Sequence, residues 1–205
     1  MLRRLRRASI DETEGGRLVV VGLGNPGSRY ERTRHNAGRM ALALLLERSA
    51  VRLKRHKSGC MVAEVSFAGH PVVLAHPLTH MNDSGRPVGE LMRWYKSAPE
   101  RVIVLHDELD IPFGQVRVKR DGGIAGHNGL RSLAAHLASR DFGRVRIGIS
   151  RPSGSRSSVD WVLSEFSVAE RKELPLVLER AADAAESIAE RGFEASMNEF
   201  NTRTE

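Results

Sequence analysis

Four short stretches bring together side chains able to move a proton or steady a developing charge: Asn25, His35 and Asn36; His80, Met81 and Asn82; His106 and Asp107; His127 and Asn128. A neutral imidazole takes a proton from water near neutral pH, and a carboxylate on its other nitrogen fixes the tautomer and stabilises the imidazolium that forms. Side-chain amides donate to a carbonyl oxygen as it becomes an oxyanion. Hydrolysis by activated water is the chemistry these types suit together. Singly they mean little, because Asn beside Gly or Pro commonly serves a turn and His at a helix start commonly caps it.

Other chemistries find weaker support. Gly22, Gly24 and Gly27 of GLGNPG match the spacing of a dinucleotide-binding turn after a strand. Pro26 and the SRYERTR stretch, however, delay the next helix by about ten residues, so no helix N-terminus would meet a pyrophosphate. No Ser or Cys stands in a nucleophile elbow. Scattered His and Asp could hold a metal, but no pair has the i, i+4 ligand spacing of a helix. Cys60 is the one cysteine, which excludes an internal disulfide and fits a small buried filler.

The elements that must position these residues alternate along the chain. LVVVGLG reads as a buried strand, and residues 36–48 as a helix with Met40, Leu44 and Leu45 on its apolar face and Thr33 or Asn36 as its cap. MVAEVSF and PVVLA, joined by AGH, suggest a hairpin. Residues 84–95 form the next helical segment, with Val88, Leu91, Met92 and Tyr95 along one side. RVIVLHDELD is a second buried strand, QVRVK a half-exposed one, GHNGLRSLAAHLAS a helix and RVRIGIS a strand. Helices close the chain, with Ser167 as N-cap and Pro175 dividing residues 168–191 into two pieces. Strands interleaved with helices specify a single α/β domain with a twisted, mixed and mostly parallel sheet. In such sheets ligands bind beyond the carboxyl ends of the strands. The loops after LVVVGLG, VVLA and VIVLHD and the loop before GHNGL should therefore converge.

Composition agrees with an ordinary globular protein: 205 residues, 40% hydrophobic and 28% charged. Residues 1–164 carry 27 Lys and Arg against 15 Asp and Glu, whereas 165–205 carry 5 against 10. A basic body suits a polyanionic partner through counterion release. Residues 1–16 are polar, Arg-rich and end in two glycines, and read as a disordered basic tail before a domain spanning 17–205. Asp11, Glu12 and Glu14 argue against a transit peptide, and the longest apolar stretch, Met40 to Leu46, is far too short to cross a bilayer. A cytoplasmic protein is the expectation.

VVGLGNPGSRYERTRHNAG, the stretch Thr79 to Gly85, LHDELDIPFGQVRVK, GGIAGHNGL and RVRIGISRP together resemble, in order and from Leu18 to Pro152, the bacterial-type peptidyl-tRNA hydrolase family. The resemblance implies a monomeric α/β domain of the peptidyl-tRNA hydrolase-like (phosphorylase/hydrolase-like) type without metal or cofactor. Its substrate would be peptidyl-tRNA, held through the acceptor stem, 3′ end and 5′-phosphate. His35 would be the general base and Asp107 its orienting partner, while Asn25 would distinguish a blocked peptidyl group from a free aminoacyl group. Asn82 and Asn128 would bind the 3′ end and the reacting ester, with Tyr30 and Met81 lining the same cleft. Lys119 and Arg146 would clamp the 5′-phosphate. His80 departs from the family's usual Phe or Tyr at a position facing the terminal nucleotide, and offers a smaller stacking surface. Ile124-Ala125 and the longer N-terminus depart as well. The competing reading is a non-catalytic RNA-binding relative of the same fold, against which the intact candidate residues speak.

Overall fold

The computed structural model describes residues 16–202. Residues 1–15 of the expected tail lie outside the described part, while Gly16 belongs to the body, its carbonyl accepting from Arg101 Nε and Nη2 at 3.0 and 2.8 Å. The elements run β1 (Leu18–Gly22), α1 (Ala37–Arg48), β2 (Lys54–Arg55), β3 (Cys60–Phe67), β4 (His70–Pro77), α2 (Gly85–Tyr95), β5 (Val102–Glu108), β6 (Val116–Lys119), α3 (Asn128–Leu137), β7 (Gly143–Gly148), α4 (Ser158–Val162) and α5 (Val168–Phe200).

Seven strands form one sheet in the order β2-β3-β4-β1-β5-β7-β6. The centre is parallel, β4 and β5 flanking β1 and β7 following β5, while β2, β3 and β6 add antiparallel edges. Every residue of β1 and β5 is buried, as expected of parallel strands covered on both faces. Alternation along the strands splits the core. Val20, Leu74, Ile103, Leu105 and Val145 pack with α1 and α5, while Val19, Val21, Val73 and Val104 pack with α2 and α3. The β3–β4 hairpin turns through Ala68 and Gly69, both at positive φ, the backbone twist that a two-residue hairpin loop requires.

At the other edge, β6 and β7 bury Val116, Val118, Val145 and Ile147 toward α5. Their other face pairs Arg117 with Arg146 and Lys119 with Arg144 across the strands, so four cations share one side of the sheet.

The last helix corrects one expectation. Ser167 caps α5 in a capping box with Glu170, but Pro175 does not divide it. Pro175 is exposed, so the carbonyl it leaves without a helical donor can be met by water. The break comes at Gly192, whose φ of 82° and ψ of 173° belong to a backbone region essentially reserved for glycine.

Candidate active site

The loop after β1 folds back on the sheet and onto the start of α1. Leu23 N–H donates to Leu105 O (3.1 Å) and Arg39 N–H to Leu23 O (2.9 Å). Asn36 was expected to cap α1; instead its amide brackets the backbone of Asn25, Oδ1 accepting from Asn25 N (2.8 Å) and Nδ2 donating to Asn25 O (3.0 Å). Thr33 does not cap α1 either, its hydroxyl donating to Tyr30 O. The reason is local: Asn25 lies in an irregular buried loop with no ladder partner, and its backbone groups must be satisfied by a side chain.

The Asn25 side chain in turn accepts from Met81 N–H at 2.8 Å through Oδ1. That donor settles which end of the amide is which, and leaves Nδ2 as a donor available to a ligand. One bond thus ties the β1 loop to the 3-10 turn Met81–Asp83 after β4.

His35 Nδ1 lies 2.9 and 3.1 Å from the two carboxylate oxygens of Asp107, at the end of β5. Asp107 also receives a second imidazole, His127 Nε2, at 3.1 Å. Burial alone would raise the carboxyl's pKa, but the two histidines and their hydrogen bonds outweigh it and hold Asp107 far below the usual carboxylate range. For His35 burial lowers the pKa, the Asp107 charge and hydrogen bond raise it, and the sum lies above the ordinary 6.5. Facing an ionised carboxylate, His35 carries its neutral-state proton on Nδ1, which leaves the Nε2 lone pair for a substrate or water. Nε2 has no protein partner among the described residues.

His127 was grouped with the other loop residues in the sequence without a role, and its geometry supplies one. It is the N-cap of α3, its Nδ1 accepting from Gly129 N–H (3.1 Å) and Leu130 N–H (3.3 Å). Nδ1 is therefore unprotonated and Nε2–H is the donor to Asp107. The spacing His127-Asn128-Gly129 before an apolar helix signals a cap, but no sequence pattern says that the cap's far nitrogen reaches a strand twenty residues earlier. His106 is a third neighbour. Its Nδ1–H donates to the Asp107 carbonyl (2.7 Å), and burial with the adjacent His127 keeps it well below its ordinary pKa and neutral.

His35, Asp107 and His127 offer donor atoms within 4.8 Å of one another, a spacing that could hold a cation. The hydrogen-bond pattern argues otherwise. With Nδ1 of His127 committed to two backbone amides, ligation through Nε2 would require an imidazolate.

Around His35 opens a cleft of about 100 Å³, lined by Asp107, Glu108, His127 and Asn128 and by Val159 and Val162 of α4. A larger hollow of about 540 Å³ beside Arg48 and Glu186 is remote from this chemistry, and Arg48 there is paired with Glu179, Asp183 and Glu186. Cys60 is fully buried, and burial pushes its thiol up to about 11, so it is no nucleophile.

Of the remaining expected residues only Asn128 lines this cleft. Tyr30 and His80 meet edge to face at 6.3 Å, with the Arg29 guanidinium 4.5 Å above Tyr30. Met81 is buried, while His80, Asn82 and Asn128 are exposed; Asn128 Oδ1 accepts from Arg131. Of the three amides, Asn25 is buried and bonded to Met81 N–H, and only Asn128 borders the His35 cleft. Lys119 and Arg146 share the cationic face of β6 and β7 but are diagonal rather than opposite. Arg146 gives Nε and Nη2 to Glu108 Oε2 at 3.1 and 3.0 Å. Arg144, between them, is buried and donates to the carbonyls of Gly122 and Gly123 (2.9 and 2.8 Å), so its guanidinium shapes the loop before α3.

The four loops expected to converge do so, through the Asn25–Met81, His35–Asp107 and His127–Asp107 hydrogen bonds. Comparison with known proteins agrees with this arrangement. The sequence model of the family described as peptidyl-tRNA hydrolase matches residues 19–205. The peptidyl-tRNA hydrolase of Frankia alni is 53% identical over 189 residues, covering 92% of this chain and 96% of that protein. That of Mycolicibacterium vanbaalenii is 53% identical over 182 residues, covering 88% and 95%. The crystal structure of peptidyl-tRNA hydrolase from Acinetobacter baumannii superposes with a TM-score of 0.85 at 35% identity, covering 91% of this chain and 95% of that one. By sequence over nearly its whole length and by fold, the chain belongs to the peptidyl-tRNA hydrolase family.

Proposed function

We propose that this chain hydrolyses the ester joining a peptide to the 3′-terminal ribose of tRNA, with His35 activating the attacking water. The observation that carries the reading is the buried His35–Asp107 pair at 2.9 Å, with the unpartnered Nε2 at a cleft. Water at Nε2 gives its proton to His35 as its oxygen adds to the ester carbonyl, and Asp107 stabilises the imidazolium. The carbonyl oxygen takes the displaced electron pair, and the Asn128 amide, which lines the cleft with His35, is a donor suited to it. Collapse breaks the bond to the ribose oxygen, which leaves with the proton that His35 took from water, so the tRNA hydroxyl is formed and the base is restored.

Asn25 also suits discrimination for an N-blocked substrate. Its side-chain amide is held by Met81 N–H and its backbone by Asn36, and a rigid donor rewards a peptide carbonyl that a free amino group lacks. Tyr30, His80, Met81 and Asn82 form the surface for the terminal nucleotide, and Lys119 with Arg146 the contact for the 5′-phosphate of the acceptor stem. The site is built from one chain, which supports action as a monomer, in the cytoplasm where its substrate arises.

Replacing His35 with Ala and following cleavage of N-acetyl-aminoacyl-tRNA tests the base. Turnover is expected to fall by about 10²–10⁴, the usual contribution of a positioned general base, while tRNA is still retained. Near wild-type turnover would remove His35 from that role. Wild-type protein that binds tRNA yet leaves the ester intact would favour the RNA-binding relative instead.

A further inference from the structure

Arg34, the residue before His35, is 2% exposed. A guanidinium out of water is costly unless its contacts are excellent, and these are unusually specific. Nη2 donates to Glu170 Oε2 at 2.6 Å, and Nη1 donates to Ser164 Oγ at 2.8 Å and to the Glu165 carbonyl. The guanidinium carbon lies 3.7 Å over the Trp161 ring and 5.2 Å from that of Phe166. The backbone joins in, Arg34 N–H donating to Ser164 O (3.0 Å) and Thr33 pairing with Glu165 in an isolated bridge.

The element this arrangement grips is α4. That helix has five residues and buries none of them completely, Val159 being 63% exposed, and it meets the core only through the partly buried Trp161 and Val162. Yet Val159 and Val162 line the same cleft as His35 and Asp107 and are much of its apolar wall. What fixes α4 is Trp161. One face of its ring is covered by Arg34, and its Nε1–H donates to Ser150 O (2.8 Å) and Ile149 O (3.1 Å) after β7. Arg34 Nε is left buried without a partner, so the residue is not optimised for its own hydrogen bonds. Its flat, forked shape matches one task, which is to join the His35 turn, α4 and the start of α5 in one geometry.

We propose that Arg34 is a positioning residue that holds the α4 wall over His35 and so governs the hydrolytic step rather than tRNA binding. This rests on His35 as the base. A fixed apolar wall keeps bulk water from the reacting ester and preserves the orientation of its carbonyl. tRNA affinity is set elsewhere, on the cationic face of β6 and β7.

The variants Arg34→Lys and Trp161→Leu, and the two combined, test the proposal in the full chain with N-acetyl-aminoacyl-tRNA. Arg34→Lys keeps the charge opposite Glu170 and loses the fork and the plane. Each single change should lower kcat about tenfold or more, since ångström-scale misplacement costs up to about 10²-fold, and leave KM within about twofold. The double variant should be no worse than the poorer single one, because both remove the same contact. The acid limb of kcat/KM should also move to higher pH, because withdrawing the wall relieves the burial that disfavours charged His35. The charged and titratable groups facing His35 are Asp107 and Glu108 from β5 and His127 from α3; α4 brings only Ser158, Val159 and Val162 to the cleft, and both variants leave all of these in place. Unchanged kcat in folded Arg34→Lys, losses that multiply in the double variant, or a raised KM at constant kcat would each overturn the proposal. If Arg34→Lys does not fold, unchanged kcat in Trp161→Leu overturns it alone. An inactive His35→Ala beside a fully active Arg34→Lys refutes the positioning role only, whereas an active His35→Ala refutes the base.

Discussion

Asp107→Asn is the smallest change that probes the two-histidine arrangement, because it removes one charge and keeps the shape. In the native site Oδ1 accepts from His35 Nδ1 (2.9 Å) and His127 Nε2 (3.1 Å), and Oδ2 lies 3.1 Å from His35 Nδ1. If the amide oxygen takes the Oδ1 position, the amide nitrogen faces Nδ1–H of His35, donor against donor. His127 cannot adjust, since its Nδ1 is committed to Gly129 and Leu130 N–H. The relief available is for His35 to move its proton to Nε2, where it blocks the lone pair that should receive a proton from water. Hydrogen bonds to a charged partner contribute about 1.5–3 kcal/mol each, so weakening two of them removes up to about 3–6 kcal/mol. At about 1.4 kcal/mol per decade of rate, kcat should fall by on the order of 10²–10⁴.

The pH dependence carries a sign that a merely unfolded or misfolded variant would not reproduce. The Asp107 charge raises the His35 pKa above 6.5 against the effect of burial, so wild-type activity should fail on the acid side at a pH above that value. With the charge gone burial remains, and the residual activity of Asp107→Asn should persist to lower pH. Stability follows the same pair. Asp107, depressed in the folded state, stabilises above its ordinary 3.8 and loses this as pH falls through its folded value; His35, raised, stabilises below 6.5 and loses this as pH rises through its own. The variant should thus lose most stability between those two ordinary values. Single-turnover cleavage across pH, with denaturant melts at the same points, measures both. A variant within tenfold of wild type whose acid limb has not moved would refute the assigned roles.

The sequence announced the sheet through its apolar β-branched runs, because a strand buried on both faces leaves no other pattern. It announced the site through side chains that a packed core has no use for, such as Asn25, His35 and Asp107 at strand ends. What it could not carry was pairing at a distance. Asn36 follows the usual grammar of a helix cap, yet its amide is taken by the Asn25 backbone, whose buried N–H and C=O have no ladder partner. His127 reads as a cap and is one, but its second nitrogen finds Asp107 only once β5 and α3 are packed. Arg34 and Trp161 are separated by 127 positions and neither belongs to a periodic pattern, so their stacking is invisible until the chain folds. Pro175 misled for a related reason: its effect depends on its surroundings, and both Pro175 and Arg171, whose carbonyl it abandons, are exposed residues.

Three further variants test the phosphate contact and the packing of the site. Lys119→Ala should raise KM about tenfold for substrate carrying a 5′-monophosphate, the worth of one charge-assisted contact, and leave 5′-hydroxyl substrate unaffected; equal losses on both would remove Lys119 from the clamp. Arg146→Ala should hurt both substrates, because it strands the buried Glu108 carboxylate one residue from Asp107. Gly38→Ala tests the packing that brings His35 to Asp107. A Cβ on Gly38 would stand 2.0 Å from Leu105 O and 2.6 Å from its carbonyl carbon, so α1 must move off the backbone of β5 by more than an ångström, with no flexible side chain to yield instead. Overpacking of this kind costs about 1–3 kcal/mol, seen as a lowered denaturation midpoint. His35 lies just before α1 and Asp107 two residues beyond Leu105, so the same displacement lengthens their hydrogen bond, and kcat should fall even where the variant is fully folded. Gly123→Ala, whose methyl meets nothing within 4 Å, is the control for stability. A Gly38→Ala protein with native stability and native kcat would mean that α1 is free to slide on β5, and that the base is positioned by its hydrogen bond to Asp107 and not by the close approach of helix to strand.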